Sequence, residues 1–295
     1  MAGGRYSTMT FHGGDDVRLV GYRWAPSGEP AGAVQLSHGM GEHMLRYEPL
    51  AEALAAAGLV VYGHDHRGHG ASVASAADLG VLGPGGWTRL VDDMHRFTAL
   101  IRREHPGLRL GMLAHSMGSF AAQQYLLVHS GDLDAVVLTG TSLLDQLEPA
   151  FDLDQPLELA ALNAAFAPAR TDFDWLTRDA TQVDEYIADP LCGFGLDAEA
   201  TKEMFAAGRR MADPRALAAI RDELPVRLVC GDADPINGQG ALVHLLAGRL
   251  REAGLTDVTV EIHPGARHEV LNETNRGQIV ADVVGWLKSE LVTDR

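Results

Sequence analysis

The sequence predicts an α/β architecture: a mostly parallel, eight-stranded sheet with helices on both faces and a helical cap inserted after the sixth strand. Three observations predict it. Short apolar runs alternate with helical stripes along most of the chain, and repeated strand and helix units of this kind build parallel sheets covered on both sides. Glycine, proline and polar turn residues punctuate the runs closely, with no repeat or low-complexity tract between them. The alternation breaks once, between Ser142 and about Leu224, which divides the chain into a core (residues 1–141 and 225–295) and an insertion (residues 142–224).

Taken in order, Thr8 to His12 and Val17 to Trp24 alternate around Gly13-Gly14-Asp15-Asp16 and predict an edge hairpin. Gly32 to Leu36 reads as a short buried strand ending at Ser37-His38-Gly39. A helix over Tyr47 to Ala57 closes at Gly58, and Leu59 to Tyr62 follows as a strand. Leu90, Met94, Phe97 and Ile101 form the stripe of a helix from Trp87 to His105, which Pro106-Gly107 ends. Arg109 to Leu113, Asp134 to Leu138, Val226 to Cys230 and Val258 to Ile262 are the remaining strands, and a last helix is expected near Gln278 to Leu291. Within the insertion, helical patches cover Leu157 to Phe166 and Ala198 to Met211, and Asp213-Pro214 suits an N-cap with proline at the first helical position. Leu157, Leu159, Leu162 and Phe166 are apolar on more than one side of their segment, as expected of a lid that covers core with one face and lines a pocket with the other.

The chain of 295 residues is 46% hydrophobic, enough for a large core, and carries a formal charge of −16. That charge excludes nucleic acid and anionic membrane surfaces as primary partners, because both require basic patches. Cys192 and Cys230 stand far apart with neither metal-ligand nor redox spacing, which suits a reducing, cytoplasmic setting. The N-terminus lacks a secretory pattern and no run approaches the roughly 18 apolar residues of a membrane span. A soluble enzyme is expected, touching a membrane at most transiently through the cap.

The chemistry centres on Leu108 to Gln124, LRLGMLAHSMGSFAAQQ, which reads as strand, sharp turn and helix with Ser116 at the apex. Such a turn needs small residues two before and two after the serine, and these are Ala114 and Gly118. A serine hydroxyl needs a base oriented by an acid, in the chain order Ser, Asp or Glu, His for this architecture. After the strand ending at Cys230 come Asp232 and Asp234. Asp234 lies deeper in the loop and is the expected acid, with Asp232 as the alternative that shapes the turn. After the last strand come His263, still in the strand, and His268, past Pro264-Gly265, which is the expected base. Backbone amides of Met117, after the nucleophile, and Met40, flanked by Gly39 and Gly41, are the expected oxyanion donors.

These residues carry a resemblance. The run HGMGEHMLRY from His38 resembles the HGxGEHxxRY segment of monoacylglycerol lipases and lysophospholipase-like α/β-hydrolases, sometimes grouped with serine aminopeptidases. Asp65 to Ser72 resembles their DxRGHGxS turn, AHSMG their nucleophile motif, and Val183 to Leu191 their VDxYxxDPL cap segment; Gly231-x-x-Asp234 and Arg267-His268-Glu269 complete the likeness. The resemblance implies an α/β-hydrolase fold, a Ser116, Asp234, His268 triad, and hydrolysis of single-chain lipid esters such as monoacylglycerols, lysophospholipids or simple carboxylic esters, without a cofactor or metal. It also implies that Glu42 and Arg46 make polar contacts near the glycerol end of the substrate. Met40 replaces a commonly smaller residue and Ala114 a commoner glycine, while most of the cap matches no short motif.

Two readings compete. His64-x-His66-x-x-His69 resembles part of a metallo-hydrolase HxHxDH motif, but Gly68 occupies the place of its aspartate and no further ligand segments follow. The other is a hydrolase fold serving only for binding, against which the ordered triad and the two expected oxyanion donors weigh.

Overall fold

The computed structural model describes residues 6–292. Strands β1 (Ser7–His12), β2 (Arg18–Trp24), β3 (Gly32–Ser37), β4 (Leu59–His64), β5 (Leu110–His115), β6 (Ala135–Thr139), β7 (Val226–Gly231) and β8 (Val258–His263) form one sheet in the order β1-β2-β4-β3-β5-β6-β7-β8. The β1-β2 hairpin and the β2-β4 pair are antiparallel, and every pair from β4 to β8 is parallel. Helices α1 (Glu48–Ala56), α2 (Gly86–Glu104) and α3 (Met117–His129) cross between the early strands. The short α4 (Leu144–Leu147), α5 (Ala180–Ala188), α6 (Ala198–Gly208) and α7 (Pro214–Leu217) lie between β6 and β7, and α8 (Ala241–Glu252) and α9 (Arg276–Leu291) complete the chain.

Period-two alternation explains why the sheet is covered twice. Along β4, Val60 and Tyr62 join the apolar cluster containing α2, α3 and α8, while Leu59 and Val61 join the cluster containing α1 and α9. Strands β3, β4, β5 and β6 are buried at every position. Each Val, Leu or Phe so buried contributes about 1.5–3 kcal/mol, so a one-residue slip in register would expose a whole row of them. This covering leaves the ends of the strands as the place where loops can meet.

Most strand ends fall within a residue or two of expectation. Asp134 stays outside β6 because its carboxylate accepts hydrogen bonds from Leu110 N at 2.8 Å and Arg102 at 2.9 Å. The patch from Leu157 to Phe166 differs more: Leu159–Phe166 winds as 3-10 turns, not α-helix. Glu158 provides no side-chain cap, and the Asn163 amide is taken up by Thr171 O at 2.7 Å and Trp175 N at 2.8 Å, so this stretch is tied to the loop that follows it. Asp213 caps α7 by accepting from Arg215 N at 2.9 Å. Among the described residues no helix is long and apolar enough to cross a membrane.

Candidate active site

Ser116 is the single residue between β5 and α3, with φ 51° and ψ −122°. An L-residue there is strained by roughly 1–3 kcal/mol and persists only where its surroundings over-determine it. Here they do. Ser116 N donates to Thr139 O of β6 at 3.0 Å, and Ser119 Oγ donates to Ser116 O at 2.6 Å. A Cβ on Gly118 would lie 2.5 Å from His38 O and 2.6 Å from Ser37 O, so helix and strand end approach as closely as only glycine permits. Ala114 fits without exposure.

Ser116 Oγ lies 2.8 Å from His268 Nε2, and His268 Nδ1 lies 2.9 Å from Asp234 Oδ2. Asp234 Oδ1 accepts from Ile236 N at 3.1 Å, which fixes the carboxylate. Because an ionised carboxylate only accepts, Nδ1 carries the proton and Nε2 is free to accept from the serine hydroxyl. Burial pushes the His268 pKa down, but the Asp234 charge and hydrogen bond outweigh it and leave the pKa above its ordinary value. Asp232 instead accepts from Gly265 N at 2.6 Å and holds the turn before His268. His263 closes β8, 3.2 Å from Glu261.

Gly39, Met40 and Met117 line the cavity that holds Ser116 and His268. Among the described residues neither the Met40 nor the Met117 amide is engaged in a hydrogen bond, and the Met117 amide opens α3, where unpaired N–H groups favour negative charge. Glu42 holds the Met40 loop in shape: its Oε1 accepts from Gly39 N at 2.5 Å and from the Tyr47 hydroxyl at 2.7 Å. Arg46 then bridges Glu42 at 2.5 Å to Glu269 at 2.6 and 2.8 Å, tying this loop to the residue beside His268. The two residues expected near the substrate's polar end therefore separate. Glu42 lines the cavity, whereas Arg46 is committed to two carboxylates and borders a neighbouring cavity with Gln182 and Arg276.

Three further residues join the site that sequence reasoning did not single out. Glu269 follows the base directly and was legible only as part of a motif. Trp175, from the inserted segment, packs its ring 4.9 Å from the His268 ring, and its carbonyl accepts from His268 N at 3.4 Å. His115 lies 4.8 Å from His268 on another side, its Nδ1 3.0 Å from Thr139 Oγ1, and burial together with His268 pushes its pKa down to about 4. His115 was legible only as a member of AHSMG, and no local pattern marks Trp175.

The other walls are apolar. Phe120, Phe151, Leu157, Leu162, Met204 and Phe205 surround the space beyond Ser116, and Leu159 joins them; Phe166 packs outside it with Trp175 and Tyr186. The insertion thus supplies a greasy chamber next to a polar, hydrogen-bonded serine. Such an arrangement can hold an aliphatic acyl chain while a hydroxyl meets its carbonyl.

His64, His66 and His69 do not converge on a point. His66 Nε2 lies 3.0 Å from Ser37 Oγ and His69 Nδ1 2.9 Å from Arg67 O, while His64 packs against Phe11 and Phe97. Burial pushes all three pKa values down, His64 to about 3 and His69 to about 4, so these rings are neutral packing bodies below the Met40 loop.

Comparison with known proteins shows the family and the fold. The profile of the family described as serine aminopeptidase, S33, matches residues 28–275. A monoacylglycerol lipase of Mycolicibacterium smegmatis is 32% identical, over 97% of this chain and 98% of its own length. A human monoglyceride lipase is 32% identical over 85% of this chain and 79% of its own length. In three dimensions, a thermostable carboxyl esterase from Bacillus coagulans, solved with glycerol, superposes with a TM-score of 0.87 at 24% identity, covering 98% of this chain and 100% of that one.

Proposed function

The chain belongs to the serine aminopeptidase S33 family and has the α/β-hydrolase fold, and from that premise we propose that it is a serine esterase acting on monoacylglycerols. It is a carboxylic ester hydrolase of the monoacylglycerol lipase kind. Ser116 Oγ attacks the ester carbonyl while His268 Nε2 takes its proton; His268 returns the proton to the departing glycerol oxygen, and the acyl group stays on Ser116. Water, deprotonated by His268, then attacks the acyl-enzyme and frees the fatty acid. Asp234 keeps the imidazole in the required tautomer throughout. The Met40 and Met117 amides receive the oxyanion, and each such donor is worth roughly 10²–10³ in rate. Residues 142–224 act as the cap that encloses the acyl chain.

One observation carries the reading: Ser116, His268 and Asp234 form a hydrogen-bonded chain beside two unengaged amides, at the mouth of a chamber walled mostly by apolar side chains. A reducing, cytoplasmic setting fits the two unpaired cysteines. The test is Ser116→Ala, which should lower kcat on a monoacylglycerol by at least about a thousandfold with folding intact and abolish labelling by a fluorophosphonate. Near-native turnover in that variant would end the proposal. A panel of monoacylglycerols, lysophosphatidylcholine and alkyl esters decides the substrate: equal rates on esters lacking the glycerol diol would make a general carboxylesterase the better description.

A further inference from the structure

His43 and Asp189 come from two separate sequence motifs, the proposed reaction gives neither residue a role, and the fold brings them together. His43 Nε2 lies 2.8 Å from Asp189 Oδ2 across the contact between the Met40 loop and the inserted segment. Cys192 completes the group, and the nitrogen, carboxylate oxygen and sulfur lie within 4.8 Å of one another. The turn carrying Asp189 and Cys192 is built and docked. Cys192 N donates to Asp189 O at 3.0 Å, Leu191 N to Asp189 Oδ1 at 2.8 Å, and Gly193 N to Gly41 O at 3.0 Å. The Tyr186 hydroxyl adds a bond to the same Gly41 O at 2.8 Å.

We propose that His43, Asp189 and Cys192 bind one thiophilic divalent cation of the zinc class, and that its binding inhibits the hydrolase by stapling the inserted segment to the Met40 loop. The donor set selects the ion. Imidazole and thiolate suit zinc-like ions, whereas calcium and magnesium require oxygen ligands. Zinc bonds of about 2.0–2.3 Å place tetrahedral ligand atoms about 3.3–3.8 Å apart, which these three side chains reach by small rotations. Asp189 and Cys192 are part-buried and the His43 side chain is 11% exposed, so water can take the fourth position. The surroundings favour a cation as well, since Asp189, Glu42 and Glu269 outnumber Arg46. On binding, the Cys192 thiol gives its proton to solvent and its sulfur bonds the metal; the proton that His43 Nε2 donates to Asp189 moves through solvent to Nδ1, which frees Nε2, and the His43–Asp189 hydrogen bond is replaced by two metal bonds. That exchange opens the 2.8 Å contact to a ligand spacing of about 3.3 Å or more. It displaces the loop three residues beyond Met40, and misplacement of order 1 Å near a reacting group can cost about 10²-fold in rate.

The binding half of this inference stands alone; the inhibitory half rests on the proposed hydrolase reading. Co²⁺ added to the full chain should produce a near-ultraviolet sulfur-to-cobalt charge-transfer band, lost in Cys192→Ser and weakened in Asp189→Asn. Zn²⁺ should displace Co²⁺, with an affinity lower in Cys192→Ser by more than the roughly 10–100-fold that an outer-shell partner alone costs. His129→Ala, which breaks the second group of close ligands at His95, His129 and Asp132, should leave the band intact. In the unmutated protein, Zn²⁺ should protect Cys192 from iodoacetamide, while Cys230 is fully buried and silent. Ester hydrolysis, read against each variant's own metal-free rate, should fall with Zn²⁺ in the unmutated protein, return with EDTA, and not respond in Cys192→Ser. A missing charge-transfer band, or one unchanged in Cys192→Ser, overturns the site. Binding with no loss of hydrolysis overturns the inhibition alone, and an enzyme inactive without metal points to failure of the hydrolase reading.

Discussion

Replacing Arg46 by methionine removes the cation that joins the Met40 loop to the residue beside the base. Its side chain is 12% exposed, and those of Glu42 and Glu269 are 3% and 5% exposed, so the pair energies are not screened as at a surface. Removing one partner of a buried pair costs about 3–5 kcal/mol, and here two carboxylates lose their partner at once. A loss of about 5 kcal/mol near neutral pH is therefore expected, read as a lower urea midpoint at unchanged slope. The pH dependence carries the sharper test. Burial pushes the Glu269 carboxyl up, but the Arg46 charge and hydrogen bonds outweigh it and hold the group well below its ordinary 4.5. A depressed carboxyl contributes stability that is present above its unfolded value and lost as pH falls towards the folded value. The gap between the unmutated protein and Arg46→Met should thus be widest near neutral pH and narrow as pH falls through 4.5 and below. Adding Glu269→Gln to Arg46→Met should return about 1–2 kcal/mol, since one orphaned charge is gone. A loss below about 1 kcal/mol, the range of an exposed pair, or a gap that does not change with pH would refute the reasoning.

Other outcomes follow from the same geometry. Gly118→Ala should cost about 1–3 kcal/mol by overpacking against the Ser37 and His38 carbonyls, visible as a lower Tm; a change within about 0.5 kcal/mol would show that strand end and helix part freely. Asp234→Asn should lower kcat about 10⁴-fold through the wrong tautomer. It should also shift the acid limb of kcat/KM to lower pH, because burial depresses His268 and Asp234 is what raises it; an unmoved limb would separate that limb from His268. Leu162→Trp narrows the apolar chamber and should lower kcat/KM for long-chain relative to short-chain monoacylglycerols by about tenfold, and an unchanged ratio would place the acyl chain elsewhere.

Much of the site was legible because its signals are local. Ser116 needs small neighbours at fixed offsets, and Ala114 and Gly118 stand there. Asp234 and His268 each follow an apolar run that a turn interrupts, so their place at strand ends can be read from a dozen residues. Strand and helix alternation is likewise a short-range record of burial, and the strands fall within a residue or two of their expected limits. What the short motifs did not disclose is how their side chains are used. Arg46 sits in a motif whose likeness implied substrate contact, and nothing in that motif told that the fold would pair its guanidinium with Glu42 and Glu269.

By itself, then, the sequence determined the doubly covered parallel sheet, the order of serine, acid and histidine, and a late insertion with apolar surface to spare. Tertiary structure alone decided that Trp175 would cover the base, that Leu159–Phe166 would wind as 3-10 turns, and that His43 would meet Asp189 and Cys192. The physical reason is range. Periodicity and turn chemistry act over a few residues and leave their mark in neighbouring letters, whereas contacts between more distant residues, from Asn163–Trp175 to His43–Asp189, are settled by strand order and by how the insertion packs.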